Sequence, residues 1–241
     1  VSFLELCKTP ELAAEVTLSA VDRLGVDAAI IFSDILVILE PLGVGLEFSK
    51  GDGPKILRPV RSGKAVDGLS GFDTESLGFV YDAISITRRA LDPEKALIGF
   101  AGAPFTIASY AIEGGGSRNY ENTKGLMYKD EAAWHTLMEK LTAATAAHLN
   151  AQIKAGADAV QLFDSWVGCL SPDDYKDFVL PHMKKLIGSI TKDVPVIHFG
   201  TGTGALLELL KESGSRVIGF DWRVDLGQAW KRVGYDVAVQ G

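Results

Sequence analysis

Six short, mainly apolar runs recur along the chain, at 28–33, 96–101, 159–163, 194–198, 216–220 and 237–240. A strand with little polar alternation has no face to give to water, so it reads as buried on both sides, as in a parallel sheet sheathed by helices. The segments between the runs repeat their apolar residues at helical spacing, over 9–24, 73–91, 130–155, 172–190, 204–213 and 226–233. The first opens with Thr9 as a cap, Pro10 at the first helical position and Glu11 in the first turn, and it runs into Gly25. Strands alternating with helices of this length imply parallel pairing with right-handed crossovers.

A doubly wound open sheet and a (β/α)8 TIM barrel both satisfy that alternation. Polar or glycine residues follow nearly every strand: Asp34, Gly102, Asp164-Ser165, the stretch Gly200 to Thr203, and Asp221. No G-x-G-x-x-G follows the first strand, which favours a barrel mouth over a dinucleotide crevice. The expectation is therefore one α/β TIM-barrel domain over residues 1–241 with about six of the eight strand–helix units, the first and last lying outside these residues. The interruption at 43–73 is punctuated by glycine and proline and has room for one small hairpin but no barrel helix. Lys50, Lys55, Arg58, Arg61 and Lys64 make it the most basic stretch, readable as solvated loop or as a rim that collects anions.

With 47% hydrophobic and 23% charged residues, the 241-residue chain can bury one large core. Its net charge of −7 argues against a nucleic-acid surface, which needs a basic footprint. Cys7 and Cys169 stand far apart without a C-x-x-C pair, so neither a disulfide framework nor a thiolate metal site is expected, and a reducing, cytoplasmic setting is. No apolar run nears the roughly 20 residues of a membrane span, and the first residues show no basic stretch followed by an apolar one.

The candidate chemistry sits where strands end. Asp34 falls between two apolar runs with no nearby Lys or Arg in sequence, so its carboxylate is desolvated unless donors arrive from elsewhere. Those donors belong either to a ligand or to the amides of a capped turn. The stretch Gly99 to Ser117 combines backbone-thin glycines, Pro104, Phe105 and Tyr110, fitting either a ligand-facing mouth or a tight turn with its aromatics in the core. Phe199 to Gly204 resembles a phosphate cradle before a helix, and His198 beside it is a candidate base or ligand. A metal there lacks partners: no Cys occurs from 170 to 241, and His182 belongs to a separate helix. Ser165 has no nucleophile elbow or adjacent His, so it reads as a hydrogen-bond donor at the mouth. Asp221 beside Arg223 reads as a structural ion pair.

The run Gly99-Phe-Ala-Gly-Ala-Pro-Phe-Thr-Ile-Ala-Ser-Tyr-Ala-Ile-Glu-Gly114 resembles the central signature of the uroporphyrinogen decarboxylase family. Phe32-Ser33-Asp34-Ile35-Leu36, Leu162 to Ser165, His198 to Thr203 and Gly219 to Trp222 resemble further family segments, in the same order and over essentially the whole chain. The resemblance implies a (β/α)8 barrel, usually a homodimer, that decarboxylates the four acetate side chains of uroporphyrinogen to give coproporphyrinogen, with no cofactor and no metal. It implies that Asp34 is the catalytic carboxylate receiving the pyrrole N–H groups, and that Tyr110 and Ser165 bind substrate. The family's arginine-bearing amino-terminal segment, Asn-Leu-Asp-Pro stretch and late histidine have no counterpart in these residues. Two rivals stand beside this reading. One is a zinc- and corrinoid-linked methyltransferase on the same barrel, which needs a His-x-Cys pair where this chain has His198-Phe199-Gly200. The other is a non-catalytic binder or inert fragment.

Overall fold

The structure is a computed structural model, and it describes residues 1–49 and 53–241. Lys50 and Gly51 of the basic, glycine-rich stretch lie outside the described residues. The strands are β1 (Ala28–Ile30), β2 (Leu46–Ser49), β3 (Gly53–Ile56), β4 (Ala96–Gly102), β5 (Ala159–Asp164), β6 (Val196–Gly200), β7 (Val217–Gly219) and β8 (Ala238–Gln240). The helices are α1 (Phe3–Lys8), α2 (Pro10–Leu24), α3 (Gly63–Asp67), α4 (Gly78–Ala90), α5 (Pro104–Glu113), α6 (Glu121–Lys129), α7 (Glu131–Ala155), α8 (Pro172–Phe178), α9 (Leu180–Gly188), α10 (Leu207–Glu212) and α11 (Leu226–Val233).

Six strands form one sheet in the order β1-β4-β5-β6-β7-β8, every neighbouring pair parallel. These are the six expected staves in consecutive order, and among the described residues β1 and β8 are its edges. The C-terminal ends of the staves therefore lie side by side, which gathers the turns after β1, β5 and β6 at one end.

Helix boundaries follow the local chemistry. In α2, Pro10 occupies the first turn and Gly25 closes the helix in the left-handed region at φ +63°. In α7, the Asp130 side chain accepts the Ala133 N–H, and Gly156 ends the 25-residue helix. The helix expected over 172–190 is instead two. Pro181 has no N–H to give the preceding turn, and Val179 leaves helical geometry at φ −126°.

Other departures concern segments whose burial the pattern hides. The run at 28–33 is strand only to Ile30, and Ile30 is 43% exposed rather than buried, because β1 is an edge strand. The 43–73 excursion holds the expected hairpin, β2 against β3, but also the short helix α3, capped by the Ser62 hydroxyl on the Ala65 N–H. The residues after Gly102 take the tight-turn alternative: Ala103 alone links β4 to Pro104 at the start of α5, nearly all of which is buried, Phe105 completely and Tyr110 in part, and Gly114 ends the helix at φ +92°. The helix expected from 204 begins only at Leu207.

Candidate functional site

Asp34 sits in the turn that follows β1, where the chain has left the sheet. Its Oδ1 accepts the Leu36 N–H at 2.7 Å, so it does cap its own turn. Burial pushes its carboxyl above the usual range, and that one amide only partly offsets the desolvation. The carboxylate lines a cavity of about 440 Å³ together with Ser165, Phe100, Phe163, Ile31 and Phe32, closed on one side by Val16, Thr17 and Ala20 of α2. That lining carries Asp34 as its one charged side chain among the described residues. A cavity that is apolar, walled by aromatic rings and marked by one desolvated carboxylate suits a flat, N–H-bearing ligand.

Ser165 is brought to Asp34 by the turn after β5, and the Thr201 hydroxyl of the next stave donates to its carbonyl. Tyr110 does not line the cavity. Its ring stacks on Trp166, centroids 3.7 Å apart and planes 27° from parallel. Burial raises its phenol, and the charge of Asp34 raises it further, which places hydroxyl and carboxylate within electrostatic reach. Two of the three expected residues thus share one cavity, and the third stands beside them on an aromatic shelf.

The remaining candidates have structural duties. His198 is fully buried, facing Asp164 at 3.5 Å and Ser213 at 3.3 Å, so it is neither an accessible base nor a ligand. The 199–204 loop is not a phosphate cradle: the Gly202 N–H already donates to the Asp221 carboxylate at 2.9 Å, and α10 starts too late to point its amides there. Asp221 forms the expected pair with Arg223; burial raises its carboxyl, but the Gly202 amide and Arg223 outweigh burial and hold it low. In the basic stretch, Arg58 donates to the Gly43 carbonyl, and Arg61 donates to the carbonyls of Ile112 and Glu113 at the end of α5 at 3.0 and 2.9 Å. Those two arginines are struts between backbone segments, not anion collectors.

Sequence reasoning missed Thr106, Trp166 and the lining phenylalanines. Phe100 and Phe163 lie within the last three residues of β4 and β5, so a search for rings at strand ends would have found them. Nothing in the sequence marks Thr106, whose partners Asp164 and Trp166 lie about 60 residues away.

The family model for uroporphyrinogen decarboxylase (URO-D) matches residues 1–241. A uroporphyrinogen decarboxylase from Sorangium cellulosum (strain So ce56) is 55% identical over 242 residues, covering 100% of this chain and 69% of that protein. One from Carboxydothermus hydrogenoformans is 53% identical, with the same coverage of 100% and 69%. Among solved structures, a methyltransferase from Methanosarcina mazei superposes with a TM-score of 0.83 at 19% identity, covering 97% of this chain and 69% of that one. At that identity the likeness is one of fold.

Proposed function

This chain belongs to the uroporphyrinogen decarboxylase family, and we propose that it converts uroporphyrinogen III to coproporphyrinogen III, with Asp34 as the charge that holds the substrate and stabilises its reacting form. A proton added to a pyrrole α-carbon makes that ring cationic. The electron pair of the acetate's breaking C–C bond flows into the cation as carbon dioxide leaves, a second proton on the exocyclic carbon completes the methyl group, and the first proton then leaves the α-carbon to restore the aromatic pyrrole, so each cycle consumes one proton. Four such cycles convert four acetates, and the substrate's own pyrrole is the electron sink.

The observation that carries this reading is the desolvated Asp34 carboxylate in an apolar, aromatic-walled cavity, with only one oxygen engaged by its own turn. An anion fixed there accepts several pyrrole N–H groups and opposes developing positive charge without reorganising. Ser165 and Tyr110 supply neutral hydroxyls for the substrate's polar groups. The enclosure of His198, and Gly200 in place of a thiolate, count against the methyltransferase reading. A homodimer is proposed on the resemblance alone and is read directly by sedimentation.

The test is carbon dioxide release and coproporphyrinogen formation from uroporphyrinogen under anaerobic conditions by the purified protein and its Asp34→Asn variant, with zinc measured by elemental analysis. No turnover by the unsubstituted protein, or bound stoichiometric zinc, defeats the reading. Near-normal turnover by Asp34→Asn defeats the role given to Asp34.

A further inference from the structure

The turn carrying Ser165 is held from both sides by hydroxyls that do not line the cavity. Thr106, in the first turn of α5 and fully buried, donates to Asp164 Oδ1 at 2.9 Å and accepts the Trp166 N–H at 3.2 Å. Thr201, after β6, donates to the Ser165 carbonyl. Each of the three consecutive residues Asp164, Ser165 and Trp166 is thereby tied to a neighbouring βα unit.

The direction of these bonds is fixed by a proton count that starts at Ser213. Its hydroxyl donates its single hydrogen to the Leu210 carbonyl at 2.6 Å, so toward His198 Nδ1, 3.3 Å away, it acts as acceptor. His198 Nδ1 then carries a hydrogen. His198 Nε2 faces Asp164 Oδ2 at 3.5 Å with both side chains fully buried, which leaves Oδ1 as the carboxyl oxygen open to Thr106. Asp164 Oδ1 remains an acceptor, so Thr106 must give its proton there and its lone pair is left for the Trp166 N–H.

We propose that Thr106 and Thr201 are positioning residues: their hydroxyls, ordered by the buried Asp164–His198 pair, hold the 164–166 turn so that Ser165 faces the cavity of Asp34 and Trp166 supports the Tyr110 ring. This rests on the decarboxylase reading. A purely structural network would alter stability but not the way substrate constants depend on Ser165.

The experiment compares Thr106→Val and Thr201→Val, alone and combined with Ser165→Ala, using kcat, KM and urea unfolding of each protein. Each single valine variant is expected to lose about tenfold in kcat/KM, chiefly through KM, the size of one misplaced hydrogen bond. In the Ser165→Ala background the same substitutions are expected to cost under about twofold, because the group they orient is gone. Thr106→Ser, which keeps the hydroxyl, is expected to restore the constants. Thr201 is only partly buried, so Thr201→Val reads the effect even where Thr106→Val does not fold. Losses additive with Ser165→Ala, unchanged constants, or failure of both variants to fold would overturn the proposal while leaving the decarboxylase reading in place. No turnover by the unsubstituted protein overturns both.

Discussion

Gln152 closes its side-chain amide on both backbone groups of Phe100: Oε1 accepts the Phe100 N–H at 2.9 Å, and Nε2 donates to the Phe100 carbonyl at 2.8 Å. The ladder between β1 and β4 reaches only as far as the Ile31 N–H on the Ile98 carbonyl, because the chain then turns away toward Asp34. Two residues on, α7 supplies from a side chain what the departed strand no longer does. Gly99 makes this approach possible, since a Cβ there would stand 2.5 Å from Gln152 Oε1. The edge of β4 is thus satisfied at the point where the chain leaves the sheet to form the site.

From that geometry, Gln152→Leu is expected to destabilise the protein by about 2–5 kcal/mol, as two buried backbone groups lose their partner. Gly99→Ala is expected to act through the same amide, so it should cost less in the Gln152→Leu background than alone. Urea unfolding of the two single variants and the double variant reads this, and strict additivity would show that the two residues are not coupled.

Asp34→Asn should lower turnover by about 10² to 10³-fold, since it keeps the size but loses the fixed anion. Asp34→Glu, which retains the charge one methylene displaced, should keep more activity than Asn. The measurement is anaerobic carbon dioxide release from uroporphyrinogen by each variant.

The same carboxylate should be a stability liability. Its folded-state pKa is raised by burial, so the folded protein binds that proton more tightly than the unfolded chain does. The contribution is favourable at low pH and is lost as pH rises through the folded pKa. Asp34→Asn, whose side-chain oxygen can still accept the Leu36 N–H, should therefore melt higher than the unsubstituted protein at pH 7. That advantage should shrink as pH falls toward the ordinary carboxylate range. Thermal unfolding at a series of pH values checks it, and a lower melting point for Asn at pH 7 would contradict it.

His148 should act with the opposite sign. Gln152 Nε2 donates to its Nε2 at 2.9 Å, which leaves Nδ1 as the protonated nitrogen facing the Tyr81 hydroxyl at 3.0 Å. Burial pushes the imidazole down from 6.5 to about 3, so it stays neutral in the folded protein. Its contribution is complete above pH 6.5 and is lost progressively as pH falls from 6.5 toward about 3, by up to about 1.4 kcal/mol per pH unit for one proton. His148→Gln should flatten that acid limb of the stability curve, whatever it does to stability at pH 7.

Tyr110→Phe should be milder than either Asp34 variant, under about tenfold in kcat/KM, because it removes one neutral hydrogen bond and keeps the stack on Trp166. Trp166→Ala removes the shelf itself and should cost more than Tyr110→Phe. The same decarboxylation assay ranks the two, and the reverse order would show that the stack does not hold the phenol in place.

The sequence determined what is local or periodic. Apolar runs between helical repeats dictated six parallel staves in order, because a chain that alternates buried strands with amphipathic helices has few other ways to close its core. Asp34 and Ser165 were expected together because both follow apolar runs, and they do line one cavity, although β1 ends at Ile30 and Asp34 reaches it from the turn beyond the sheet. Tertiary structure alone decided which polar groups meet. Thr106 and Asp164 are 58 residues apart, Gln152 and Phe100 are 52 apart, and His198 looked available until its neighbours enclosed it. Sequence spacing records the repeat of a helix or strand. It does not record the distance between two elements that the barrel brings side by side, and contacts across that distance set the tautomer of His148 and bring Asp164 against His198.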